Sequence, residues 1–142
     1  MKYIVLKGWK YQVQEECAFQ LEFSPAGNIE TDYIRLTAGG RLTVKKGYAW
    51  DGASGPAIDT PGTMRASLAH DALYQLMRLG RLHYAFRELA DKELRRICRE
   101  DGMGKIRAWY FYWAVRIFAG KCAKPGTEKP PVIKEAACGL RL

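Results

Sequence analysis

The sequence predicts an α+β fold in which an N-terminal antiparallel β-sheet leads through a glycine-rich loop into a helical half. Three observations predict it. Apolar residues alternate with period two through the first fifty positions. Four glycines and two prolines then crowd the sixteen positions from Gly47 to Gly62, too many for a long regular element. Beyond them, apolar residues recur at helical spacing to about residue 119. With 142 residues, 48% of them hydrophobic, the chain suits one domain with a real core. The expected organisation is a single α+β domain over 1–120, followed by an extended tail over 121–142. Within the domain, 1–50 is the sheet part, 51–62 the loop and 63–120 the helical part.

In the sheet part, Trp9, Tyr11 and Val13 share one face, and Phe19, Leu21 and Phe23 repeat the pattern. Ile34 with Leu36, then Leu42 with Val44, continue it. Pro25-Ala26-Gly27-Asn28 and Ala38-Gly39-Gly40 lie between these runs and are turn chemistry. Four or five short strands follow from this spacing. In the loop, Tyr48, Trp50 and Ile58 are the side chains able to pin it down. Such a segment either brings backbone close to a ligand or serves as a sheet-to-helix crossover.

Thr63 has the side chain of an N-cap for a first helix over about 64–79, closed by Gly80. A second helix over about 86–99 puts Phe86, Leu89, Ala90, Leu94 and Ile97 on one face, and Asp101-Gly102-Met103-Gly104 breaks it. A third, over about 106–119, contains Trp109-Tyr110-Phe111-Tyr112-Trp113-Ala114-Val115. It is apolar nearly all round, so buried core is the expectation. The competing readings are a lipid interface flanked by Arg107 and Arg116, or contact with another subunit. From Lys121, the prolines at 125, 130 and 131 predict a mostly extended tail, which packs on the domain or on a neighbour.

Lys and Arg number 23 against 15 Asp and Glu, an excess that favours anionic partners such as phospholipid surfaces or nucleic acid. The charges are spread along the chain, which fits an ordinary solvated surface, and no nucleic-acid-binding module is recognisable. The N-terminal apolar run is too short for a signal peptide, and no segment approaches the ~20 apolar residues of a membrane span. Cys17, Cys98, Cys122 and Cys138 are scattered without metal-ligand spacing. They point to a reducing compartment rather than to zinc or a disulfide framework.

One constellation points to chemistry. His70, one of two histidines, stands beside Asp71, with Tyr74 one helical turn later and Asp91 in the next helix. At about 100° per residue, His70 and Tyr74 share a stripe while Asp71 points elsewhere. The short link between the helices makes them antiparallel neighbours, which brings Asp91 toward the His70 ring and the Tyr74 hydroxyl. A carboxylate on one ring nitrogen fixes the tautomer and leaves the other nitrogen to take a proton from water. Asp71, aimed at the glycine loop, would join backbone carbonyls around a hard cation such as Ca²⁺. The same spacing also describes a buried hydrogen-bonded brace between two helices, and spacing alone favours the brace. Serine-triad and phosphate-loop motifs are absent, and His83 reads as a solvated loop residue.

His70-Asp71-x-x-Tyr74 followed by Asp91 resembles the active-site helices of the phospholipase A₂ superfamily, covering about residues 48–100. The resemblance implies His70 as general base, Asp91 as the residue that orients it, and Tyr74 as support for Asp91. It implies Asp71 as a Ca²⁺ ligand together with loop carbonyls at Trp50, Gly52 and Ser54, and a backbone oxyanion N–H at Gly52. It implies no organic cofactor. The cysteines that flank this motif in the secreted enzymes are Ala69 and Leu73 here.

Trp50-Asp51-Gly52-Ala53-Ser54-Gly55-Pro56, His70-Asp71-Ala72-Leu73-Tyr74 and Ala90-Asp91 together are similar to a family of small uncharacterised proteins of tailed phages and prophages, over about residues 40–120. That similarity implies a viral protein in the host cytoplasm or the virion. The leading expectation is a phage-encoded, Ca²⁺-assisted lipid esterase with phospholipid as partner and a helical half like that of phospholipase A₂. The alternative is a non-catalytic virion component of tail, baseplate or neck. Its aromatic helix (106–119) and tail (121–142) would then contact other phage subunits.

Overall fold

A computed structural model of the chain describes residues 1–6, 11–50 and 61–125. They fall into two compact units, one drawn from Met1–Asp51 and the other from Gly52–Glu128. The layout is the expected α+β one, with antiparallel strands first and helices after.

The first unit holds seven strands among the described residues. They are β1 (Tyr3–Val5), β2 (Tyr11–Val13), β3 (Cys17–Gln20), β4 (Ile29–Glu30), β5 (Ile34–Leu36), β6 (Arg41–Val44) and β7 (Ala49–Trp50). They form two antiparallel sheets, ordered β1-β2-β7 and β3-β6-β5-β4. The sequence predicted one sheet of four or five strands. Among those not anticipated, β4 and β7 are two residues long and β1 lies in an unbroken apolar run, so neither kind shows an alternation.

Phe19, Leu21, Ile34, Leu36, Leu42 and Val44 are buried as their alternation predicts. β2 departs from the pattern, because Gln12 is buried beside Val13. Its amide nitrogen donates to the Gly47 carbonyl at 3.0 Å, which offsets part of the cost of burying an amide. Tyr3, Tyr11 and Trp50 pack as an aromatic cluster, with ring centroids 5.5 to 5.9 Å apart. Trp9, expected on the same face, lies outside the described residues. In the β5–β6 turn Gly40 has φ +85°, and a Cβ there would stand 2.6 Å from the Phe23 carbonyl oxygen. Only glycine fits such a position.

The second unit contains α1 (Pro61–Arg78), α2 (Arg87–Glu100) and α3 (Lys105–Phe118). Proline at the first helical position suits its fixed φ and missing N–H. Thr63 therefore sits inside the first turn and is fully buried, not at the cap. The two glycine stops predicted from sequence are present. Gly80 N–H donates to the Met77 carbonyl and Arg81 N–H to that of Leu76. Gly102 N–H donates to Arg99 and Met103 N–H to Cys98 in the same way. Both glycines have positive φ, as this type of helix end requires. His83 is exposed and caps the turn Tyr84–Phe86, its Nδ1 accepting from Ala85 N–H at 2.9 Å.

Pairing of side chains sets the helix directions. Arg65 meets Asp101 and His70 meets Asp91, so α1 and α2 run antiparallel. Asp91 meets Arg116 and the Arg95 guanidinium lies over the Tyr112 ring, so α2 and α3 do as well. The helix α3 does not lie wholly in the core, as its composition had suggested. Phe111, Tyr112 and Val115 are buried, but Ile106, Trp109, Tyr110, Trp113 and Ile117 are exposed. A helix whose central run, Ala108 to Val115, carries no charge gives little clue to which side will find a neighbour. Nor is the tail extended from its start. Gly120–Ala123 forms a 3₁₀ turn with Ala123 buried, and the Cys122 carbonyl accepts from Arg78 at 2.8 Å. The tail from 126 onward lies outside the described residues. No described helix is long and apolar enough to cross a membrane.

Candidate functional site

The helix α1 is rich in alanine and leucine, and its buried Leu68, Ala69, Ala72, Leu73 and Leu76 hold it in place on several sides. His70 and Tyr74 project from one stripe of it, their ring centroids 4.1 Å apart. Ala90 and Asp91 face them from the first half of α2, both fully buried.

Asp91 is the hub. Its Oδ1 accepts from both His70 Nε2 and the Tyr74 hydroxyl, each at 2.6 Å. Its Oδ2 accepts from Arg116 Nη1 at 3.0 Å and lies 3.8 Å from Arg87 Nε. Burial by itself would push the Asp91 carboxyl up. The hydrogen bond and charge of His70, with the bonds from Tyr74 and Arg116, outweigh it and hold the carboxyl below its ordinary value. Burial pushes the Tyr74 phenol the other way, well above its usual range, and the Asp91 charge adds to this. The pair is therefore a carboxylate and a neutral phenol that donates to it.

In the neutral form of His70, an ionised Asp91 facing Nε2 assigns the single ring proton to that nitrogen. The lone pair then belongs to Nδ1, which makes no hydrogen bond with any described residue, and a tenth of the His70 side chain is exposed. Such an imidazole can accept a proton at Nδ1 while Asp91 stabilises the cation that results.

The structure thus brings together His70, Tyr74 and Asp91, as the spacing predicted. Asp71 is half-buried on the next position of α1, turned about 100° from His70. Trp50 is placed in the aromatic cluster of the first unit. Gly52 and Ser54, the other expected loop ligands, lie outside the described residues. Among the described residues no group of three or more His, Cys, Asp or Glu could hold a metal ion.

Sequence reasoning missed the two arginines. Arg87 stands one helical turn before Asp91, a spacing that could have revealed it. Its Nε donates to the Tyr74 hydroxyl at 3.1 Å. Its Nη2 donates to the Val115 and Arg116 carbonyls at 2.9 and 2.7 Å, closing the end of α3 where cations are favoured. Arg116 was read as an outer flank of the aromatic block, yet it turns inward to Asp91. No local signal marks it, because its partner is set by the packing of α3 on α2.

Fold and site together define an α+β protein with a buried histidine–carboxylate–tyrosine cluster clamped between antiparallel helices by two arginines. The chain belongs to the DUF1353 family, a family of proteins of unknown function, whose model matches residues 28–115. That span includes His70, Tyr74, Arg87 and Asp91. No curated protein and no solved structure matches the chain.

Proposed function

We propose that this protein is a phage-encoded hydrolase of carboxylic esters in phospholipid, with His70 as general base. The observation that carries the reading is the double acceptance at Asp91 Oδ1, from His70 Nε2 and from Tyr74, which leaves Nδ1 for water. Nδ1 takes a proton as the water oxygen bonds to the ester carbonyl carbon. The tetrahedral adduct then breaks its bond to the alcohol oxygen, and the imidazolium returns the proton to that leaving group. Asp91 orients the ring throughout and balances its transient charge. Tyr74 holds Asp91, so it is a positioning residue. Asp71 is a hard oxygen donor of the kind Ca²⁺ takes, and with Gly52 and Ser54 carbonyls it would hold that ion. Held there, Ca²⁺ would supply polarisation of the ester oxygen, and a backbone N–H of Gly52 would serve as oxyanion donor. The helical half of the phospholipase A₂ superfamily uses the same residue types in the same order.

The test is hydrolysis of a fluorogenic phospholipid by the full chain, with Ca²⁺ or chelator, beside His70→Gln. The expected loss in the variant is about 10²–10⁴-fold. Turnover no greater than that of the variant overturns the reading.

A second reading has its own observation. The Asp91 carboxylate is saturated by four neighbours, as a structural brace would be. In that reading the chain is a non-catalytic virion component. Its peptides should then appear in mass spectra of purified particles, and their absence counts against it.

A further inference from the structure

Among the described residues, most of the exposed large apolar side chains lie on α3, a feature the proposed reaction leaves unused. Ile106, Trp109, Tyr110, Trp113 and Ile117 are 84%, 56%, 45%, 46% and 68% exposed. At about 100° per residue these positions fall in one continuous stripe roughly 100° wide. Five large apolar side chains along one stripe, three of them aromatic, form a contiguous exposed apolar patch, the kind of feature that marks an interaction surface. The same helical geometry puts Lys105 on one border of the stripe and Arg107 on the other, and both are exposed. No Asp or Glu occurs between Gly102 and Thr127 in the sequence. Arg116 is excluded from this set, because it is committed to Asp91.

We propose that this face docks α3 flat on an anionic phospholipid bilayer. Trp and Tyr suit that boundary, since the ring is apolar and the N–H or O–H tip stays wet. The bordering cations match the anionic headgroups. Charge complementarity selects this occupant over a second copy of the chain. Self-association through the stripe would press together two helices that carry Lys and Arg and no Asp or Glu, in a protein of net charge +8. The inference rests on α3 alone and shares only the lipid with the proposed reaction.

Co-sedimentation of the full chain with vesicles tests it. One set is phosphatidylcholine alone, the other contains about a quarter phosphatidylglycerol, at low and high salt. Binding is expected to the anionic vesicles, weakened by salt and by about fivefold for each of Lys105→Gln and Arg107→Gln. The double variant Trp109→Ser, Trp113→Ser should lose at least tenfold in partitioning. These side chains are exposed, so an unchanged circular dichroism melt will show that the fold survives. His70→Gln should bind as the natural chain does. Binding without turnover therefore sinks the esterase reading and leaves the docking surface standing. Absence of vesicle binding overturns the docking surface, as does binding untouched by the double Trp variant. A self-association or capture of an acidic protein that requires Trp109 and Trp113, with no lipid binding, overturns it too.

Discussion

His70 and Asp91 are 21 residues apart in the chain, and His70 Nε2 meets Asp91 Oδ1 at 2.6 Å. The contact joins α1 to α2, and Arg116 on the far side of the carboxylate extends it to α3. One buried anion therefore ties three helices, whether or not it also serves a reaction.

Removing that anion leaves its partners stranded. Asp91→Ala deprives Arg116 of its counter-charge and leaves the His70 N–H and Tyr74 O–H buried without an acceptor. The expected loss is about 3–5 kcal/mol. Asp91→Asn keeps the volume and one acceptor oxygen, so it should cost less. Urea unfolding monitored by circular dichroism measures both, and equal, small costs would show that the cluster does not brace the helices.

The titration shifts predict opposite limbs. The Asp91 carboxyl is lowered in the folded chain. Its contribution is therefore fully present above the unfolded value of about 4, and is lost as pH falls through the folded value. The Tyr74 phenol is raised. Its contribution is fully present below the unfolded value of about 10, and is lost as pH rises beyond it through the folded value. Urea midpoints followed across pH should show a flatter acid limb for Asp91→Asn than for the natural chain. Tyr74→Phe should flatten the alkaline limb instead. Parallel profiles for all three chains would contradict the assignment.

How far the sequence revealed this site follows from where each partner lies. His70 and Tyr74 share a helical turn, and Asp91 follows a short link, so periodicity and loop length sufficed. Arg87 was visible in principle from its spacing to Asp91. Arg116 was not, because its direction depends on how α3 packs, and the central run of α3 from Ala108 to Val115 is apolar all round. The same uniformity hid the exposed stripe of Ile106, Trp109 and Trp113. In the sheets, alternation found Phe19, Leu21, Leu36 and Leu42. It could not find β1, which lies in the unbroken apolar run Tyr3-Ile4-Val5-Leu6, or β7, whose two residues complete a single period.

Cysteine reactivity gives an independent reading of the helical packing. Cys98 is fully buried, and burial pushes its thiol up to about 12. Cys122 is exposed. A thiolate is the reactive form, so Cys98 should resist alkylation at mildly alkaline pH. Site-resolved mass spectrometry after iodoacetamide treatment should find Cys122 modified in the folded chain and Cys98 only in denaturant. Modification of Cys98 as fast as Cys122 would show that the Cys98 thiol is not enclosed by the packed helices.

Two glycines with positive φ should respond differently to alanine. At Gly80, φ is +71° and no other atom lies within 4 Å of the new Cβ. Gly80→Ala then carries only the backbone strain of a left-handed alanine, about 1–2 kcal/mol. At Gly40, φ is +85° and the Cβ meets the Phe23 carbonyl oxygen at 2.6 Å. That oxygen belongs to the backbone, so relief requires the chain near Phe23 to shift. The turn is held on the other side by Gly40 N–H donating to the Thr37 carbonyl at 2.9 Å. Gly40→Ala should therefore cost more than Gly80→Ala, by about 1 kcal/mol or more. Urea midpoints of the two variants compare the costs directly. A Gly40→Ala chain as stable as Gly80→Ala would mean that the β5–β6 turn does not approach Phe23 as closely as described.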